Sequence, residues 1–244
     1  MSDHVYDADF MAYTAASATR SADAVISQLA GVLPIRSVLD VGCARGAWLA
    51  RWQVAGVADI TGVDGDYVDR KHLLIPAERF NARDLASAFD LGRRFDLVQT
   101  LEVAEHIAAD HADTFVTNLV HHASGLLLFS AAPPGQGGEF HVNEQPYDYW
   151  RNKLAAHGYL PFDCLRPTLT GRTDVSAWYR YNTLLYVHKD RIAELPEAIR
   201  RTAIAADQRI ADISPRWYRL RKLVIRCLPR ALQDQLARLA AKHG

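Results

Sequence analysis

Three cysteines in 244 residues, Cys43, Cys164 and Cys227, are odd in number, widely spaced and in no C-x-x-C pair. A disulfide framework is thereby disfavoured, and a reducing, cytoplasmic setting fits better. Neither sign of charge prevails: 28 Lys/Arg face 28 Asp/Glu. With no overall basic excess and no basic, aromatic-rich platform, a nucleic-acid partner is not expected. No apolar run approaches the ~20 residues of a membrane span. The opening MSDHVYDADF is acidic and polar, without the basic-plus-apolar pattern of a secretory signal. What is plentiful is apolar side chain, 49% of the chain. That is enough for one sizeable core, a domain of roughly 180–200 residues with extensions.

The chain is organised around Ser37-Val38-Leu39-Asp40-Val41-Gly42-Cys43-Ala44-Arg45-Gly46-Ala47-Trp48. An apolar, β-branched run ends near an acid, two glycines follow, and a helical pattern begins. This reads as a buried parallel strand, a tight turn and a helix N-terminus. The spacing is not the dinucleotide G-x-G-x-x-G, and no Lys-Ser/Thr follows to build a phosphate loop. Asp40 would repel a pyrophosphate and suits a ligand carrying a positive group. Strand patterns at about 36–41, 59–63, 78–80, 95–100, 126–130, 159–164 and 181–188 alternate with helix patterns at about 46–56, 67–72, 85–89, 110–122 and 146–157. Alternation of this kind predicts an α/β fold, a doubly wound and mostly parallel sheet. Only a polar insert, 166–179, separates the last two strands, which fits a final antiparallel pair. Residues 1–35, with Tyr6, Phe10, Met11 and Tyr13, form an N-terminal helical cap, and 36–189 form the main domain.

Residues 190–244 are expected to be a helical tail, with a polar helix over 190–213. Residues 215–244 hold eight Lys/Arg against the single acid Asp234. Because the whole chain balances to zero, the remainder carries −7 by the same count. Trp217, Leu220, Leu223, Val224, Cys227 and Leu228 share one helical face, continued after Pro229 by Leu232, Leu236 and Leu239. A basic amphipathic segment of this kind fits an anionic membrane surface, here the inner face of the membrane, or a partner. The competing reading is a helix pair packed on the domain or on a second subunit.

VLDVGCARGAW resembles motif I of the class I S-adenosylmethionine-dependent methyltransferases, with Ala44 where that family more often has glycine. Three further stretches resemble the family in order and spacing. ITGVD ends in Asp64, which by this resemblance accepts hydrogen bonds from both ribose hydroxyls, with Gly65 beside it. Asp84 resembles the acid that takes the adenine amino group, with Leu85 against the ring. Phe95 to Ile107 resembles FDLVxxxEVLEHI, placing Leu101, Glu102 and His106 beside the cofactor. The resemblance implies a seven-stranded Rossmann-like methyltransferase fold. It also implies a cofactor site of Asp40, Gly42, Cys43, Gly46, Trp48, Asp64, Gly65, Asp84, Leu85, Leu101, Glu102 and His106. The cofactor would be S-adenosyl-L-methionine, leaving as S-adenosyl-L-homocysteine.

The loop after the fifth strand, Ala131 to Trp150, carries three glycines, the pair Pro133-Pro134 and then His141, Asn143, Glu144 and Gln145, before a helix that opens at Pro146. It resembles a loop in bacterial methyltransferases linked to surface glycans and secondary metabolites. Methyl transfer is an in-line displacement at an activated sulfonium, so the protein must exclude water, align the nucleophile and take a hydroxyl proton. His141 is the first candidate for that base, with Glu144 or His106 orienting it or replacing it. The expected acceptor is a hydroxyl of a sugar or small metabolite. N- or carboxyl-methylation and an inactive nucleoside-binding module are the alternatives. Glu102, Glu105, His106 and His141 also resemble the four-ligand metal set of small-RNA 2′-O-methyltransferases. The same string occurs in metal-free relatives, and no metal is expected here.

Overall fold

The computed structural model describes residues 8–229, 232–233 and 235–236, with side chains from residue 18 onward. Tyr6, Asp234 and Leu239 lie outside the described residues, as do the side chains of Phe10, Met11 and Tyr13. One helix, α1 (Ala8–Leu29), precedes the sheet. Strand β1 (Ser37–Val41) is buried along its whole length, as its unbroken apolar run requires of a strand covered on both faces. The chain continues through α2 (Ala47–Val54), β2 (Asp59–Asp64), β3 (Phe80–Ala82) and β4 (Phe95–Leu101). It then forms α3 (Ala112–His122), β5 (Ala123–Ser130), α4 (Tyr147–Ala156) and β6 (Tyr159–Phe162). Two short helices, α5 (Arg166–Leu169) and α6 (Ala177–Asn182), lead to β7 (Leu184–His188). Helices α7 (Glu197–Arg200) and α8 (Arg216–Arg226) follow.

The seven strands run in the order β3-β2-β1-β4-β5-β7-β6. The first five pair in parallel, and β7 lies antiparallel between β5 and β6. Side chains alternate across the sheet, so the central strands feed two cores. Val38, Ile60, Leu97 and Leu128 pack with Val25 and Leu29 of α1 and Leu49 and Trp52 of α2. Leu39, Val63, Val98 and Leu127 pack with Phe115 and Leu119 of α3 and Trp150 and Leu154 of α4. The strand order reverses between β1 and β4, and in sheets of this kind ligands bind at the carboxyl ends of the strands flanking that reversal.

Four expectations need correction. The segment 67–72 forms only a 3-10 turn over Arg70–His72, and 85–89 forms turns. In each, an aspartate folds back on its own loop: Asp69 accepts from the Lys71 N–H, and Asp84 from the Ala86 N–H and the Ser87 hydroxyl. Such short-range bonds compete with helix. The insert 166–179 is not helix-free. It holds α5 and the start of α6, anchored by Arg166, whose guanidinium binds both Asp163 oxygens and the carbonyls of Tyr181 and Ala211. Residues 190–213 are not one helix but a 3-10 stretch (Lys189–Glu194), α7 and an irregular run. Pro196 ends the first turn, and the run then pairs with the edge strand through Asp163 N–H to Thr202 O and Ile204 N–H to Pro161 O.

Candidate active site

The glycine loop turns because two of its residues adopt left-handed backbone, Gly42 at φ 87° and Gly46 at φ 81°. Ala44 is also left-handed, at φ 48°. That conformation favours glycine over a residue with a Cβ. The loop is tied to the end of β2. Gly42 and Cys43 donate to Val63 O at 2.8 and 3.2 Å, and Ala44 N–H donates to Asp64 Oδ2 at 2.7 Å. A Cβ at Gly42 would sit 2.4 Å from Val103 Cγ2, so the loop after β4 closes directly on this glycine.

Asp64 Oδ1 accepts from Gly65 N–H at 2.7 Å and from the Tyr67 hydroxyl at 2.5 Å. The Tyr67 ring lies on Gly65, where a Cβ would come within 2.2 Å of it. The carboxylate at the end of β2 thus already takes an O–H donor, as it would from a ribose. Asp40 is buried in β1. Burial pushes its carboxyl up to about 7, with Gln99 drawing it back and Asp64 adding a further push. Burial raises Asp64 too, against the bonds from Tyr67, Ala44 and Gly65. The Cys43 thiol is held well above its usual range by burial and by both acids. Two buried acids beside a glycine loop form a site that gains from a cationic ligand. The residues therefore fit a sulfonium nucleoside. Cys43, Trp48 and Leu101 are core side chains on the α2 face and Leu85 on the other. Asp84 is exposed, its carboxylate engaged by its own loop.

At the end of β4, Glu102 adopts φ 59°, and its N–H donates to the Ser130 carbonyl and hydroxyl. Strain of this kind in a non-glycine residue persists only where surroundings impose it. The Glu102 carboxylate accepts from Gln136 Nε2 at 2.6 Å and Asn182 Nδ2 at 3.1 Å. Asn182 also donates to Gln136 Oε1 and accepts from the Tyr147 hydroxyl. Burial raises Glu102, and these amides partly offset it. Sequence reasoning missed Gln136, Asn182 and Tyr147. Gln136 sits between the loop glycines and was findable there, whereas Asn182 carries no local signal.

The loop after β5 folds around Glu144. One carboxylate oxygen accepts from Gly135 N–H at 2.6 Å, and the other from Gly137 N–H at 2.8 Å and His141 Nδ1 at 2.8 Å. Val142 and Asn143 donate to Glu105 O, both at 2.9 Å, tying the loop to the turn after β4. His106 Nδ1 faces Phe140 O at 3.2 Å, and its ring stands edge-on to His141 with centroids 4.9 Å apart. Burial and the neighbouring His141 lower His106 to about 3, so it stays neutral at working pH and is a poor proton acceptor. Glu105 is fully buried, with no hydrogen-bond partner on either carboxylate oxygen. Burial, then Glu102, holds it well above the usual carboxylate range. Of the four metal-type residues, Glu105, His106 and His141 bring one ligand atom each within 4.8 Å of one another. Glu102 is turned to Gln136 and Asn182 instead.

A seven-stranded sheet of this order, with a glycine loop after β1, an acid closing β2 and a polar loop after β5, defines a class I S-adenosylmethionine-dependent methyltransferase. A family model described as a methyltransferase domain matches residues 12–158, more than half of the chain, and the chain belongs to that family. Its cofactor is S-adenosyl-L-methionine. Among solved structures, the chain is similar to the sugar N-methyltransferase KedS8 from Streptoalloteichus sp. ATCC 53650. That match has 21% identity and a TM-score of 0.57, covering 77% of this chain and 95% of that one. Magnesium protoporphyrin IX methyltransferase (ChlM) from Synechocystis PCC 6803, with bound SAH, matches at 20% identity and TM-score 0.50, over 77% and 90%. An O-methyltransferase family protein from Burkholderia thailandensis matches at 16% and 0.51, over 68% and 55%. These likenesses are of fold. No curated protein matches the chain.

Proposed function

We propose that this methyltransferase methylates a hydroxyl oxygen of a sugar or small metabolite, with His141 taking the hydroxyl proton. The observation that carries the reading is the His141–Glu144 pair. Glu144 accepts the Nδ1 proton at 2.8 Å, which fixes the tautomer and leaves Nε2 as the proton acceptor. A hydroxyl becomes a competent nucleophile only as its proton leaves, which is the work such an ordered base can do. The Gly42–Gly46 loop, Asp40, Asp64, Gly65, Glu102 and Leu101 would hold the cofactor, with Asp84 and Leu85 at its adenine. When bound, that group supplies a methyl already activated on sulfur. The chain's own contribution is to orient the acceptor, keep water out with the loop over 131–150 and hold the departing proton at His141 Nε2.

The test is transfer of labelled methyl to a panel of sugar and small-alcohol acceptors by the wild type and His141→Gln. The variant should lose roughly 10²–10⁴-fold in kcat, while its affinity for S-adenosylhomocysteine stays unchanged. Label recovered on amines or carboxylates, or transfer indifferent to the substitution, would overturn the assignment. Asp64→Ala should abolish that affinity in a calorimetric titration.

A second reading rests on the buried Glu105 carboxylate, which lies 3.9 Å from His141 Nε2. Glu105, His106 and His141 could together hold a divalent cation, making His141 a ligand instead of a base. Exhaustive chelation separates the two. Turnover that survives supports the base, and turnover lost and restored by Mn²⁺ supports the ligand.

A further inference from the structure

Among the described residues, helix α8 buries one face on the domain and leaves an apolar face exposed. Its inner face, Tyr218, Lys222 and Ile225, is buried. It lies directly on the loop over the site. A Cβ at Gly135 would come within 2.0 Å of Lys222 O, and one at Gly137 within 2.9 Å of Ile225 Cγ2. Arg221 donates to Gln136 O at 2.9 Å, and Lys222 is paired with Asp212 at 2.5 Å. The opposite face carries Trp217, Leu220, Leu223 and Val224, each more than half exposed. At 100° per residue these four fall within about 120° of arc. Arg216, Arg219 and Arg226 are exposed on or beside this strip, and no ion pair engages them among the described residues.

We infer that this outer face of α8 docks on an anionic lipid surface and brings the loop over the active site to the membrane. The charge pattern selects that occupant. The tail holds eight basic residues against one acid while the rest of the chain is at −7, so an anionic surface attracts the tail and repels the body. A tryptophan and three aliphatic side chains rimmed by arginines match the headgroup–acyl boundary. A second copy fits poorly, because face-to-face pairing would bring two arginine rims together. No helix among the described residues is long and apolar enough to cross a membrane, so the contact is peripheral.

The test is co-sedimentation of the full chain with vesicles of phosphatidylcholine alone or with about a third phosphatidylglycerol. It is repeated with a Leu220→Asp/Leu223→Asp variant. Both side chains are exposed, and S-adenosylhomocysteine affinity reports that the variant is folded. The expected result is binding to the anionic vesicles that falls at least about tenfold on neutral vesicles, in high salt and in the variant. Absence of binding, equal binding to both vesicles, or binding unaffected by the variant would overturn the inference. So would a dimer in sedimentation equilibrium that the variant splits, since it would assign the face to a second copy. Methyl transfer in solution is read separately, and its failure leaves the docking test standing.

Discussion

Asp40 offers the sharpest quantitative test of the buried acid site. Burial takes its carboxyl from an ordinary 3.8 to about 7. An acid whose pKa rises on folding prefers to be protonated in the native state, so its contribution is least unfavourable below the unfolded value. The cost grows as pH climbs through the window from about 4 to 7 and is constant above it. At 1.36 kcal/mol per pKa unit the full cost is about 4 kcal/mol, and about half of it is already present at pH 5.5. Asp40→Asn keeps the shape and removes the titration. Urea unfolding of the apoprotein should therefore show the variant gaining on the wild type by about 2 kcal/mol more at pH 8.5 than at pH 5.5. In a thermal scan of a chain this size that is roughly 4–8 °C of extra separation. Asp64, Glu102 and Glu105 shift in the same direction, so only the difference between the two proteins isolates Asp40. The stabilised variant should lose affinity for the cofactor, since on the proposed site the same carboxylate would face the cofactor's positive charge. A stability difference that does not change with pH would refute the reasoning. So would a variant less stable than wild type at pH 8.5, which would make the carboxylate a stabilising partner.

Ala44→Gly relieves a left-handed alanine and should stabilise the fold by roughly 0.5–1 kcal/mol without weakening the cofactor, whereas Gly42→Ala should destabilise and abolish S-adenosylhomocysteine binding. Denaturation midpoints and calorimetry check both. His106, held near 3, is already neutral through the working range, so His106→Asn should leave the acid limb of the kcat/KM pH profile where it is. Arg166 is almost wholly buried with Asp163 and two carbonyls as partners, and Arg166→Met should cost about 3–5 kcal/mol in chemical denaturation, by stranding Asp163 and the carbonyls.

What the sequence made legible was local or repeated. A buried strand, two left-handed glycines and a following helix are written within a dozen residues, and the acids at 64 and 84 and the 95–107 stretch stand in register behind them. His141 and Glu144 are three residues apart and lie in hydrogen-bond contact. Hidden features depend on distant partners. Asn182 reaches Glu102 across 80 residues, and nothing around either announces the contact. The 190–213 segment looks helical by composition, yet Leu195, Ile199 and Ile210 are buried and its backbone pairs along β6. Tertiary contacts thus override local preference there. At Asp69 and Asp84 the opposite holds, since short-range capping defeats an apparent helix.

The three bonds at Glu144 have a consequence for timing. The carboxylate that sets the tautomer of His141 also gathers the amides of Gly135 and Gly137. If the loop lifts, the imidazole loses its orientation in the same motion. On the proposed role of His141, the proton acceptor would thus be ordered only while this loop is seated, so that seating the loop and arming the base become one event.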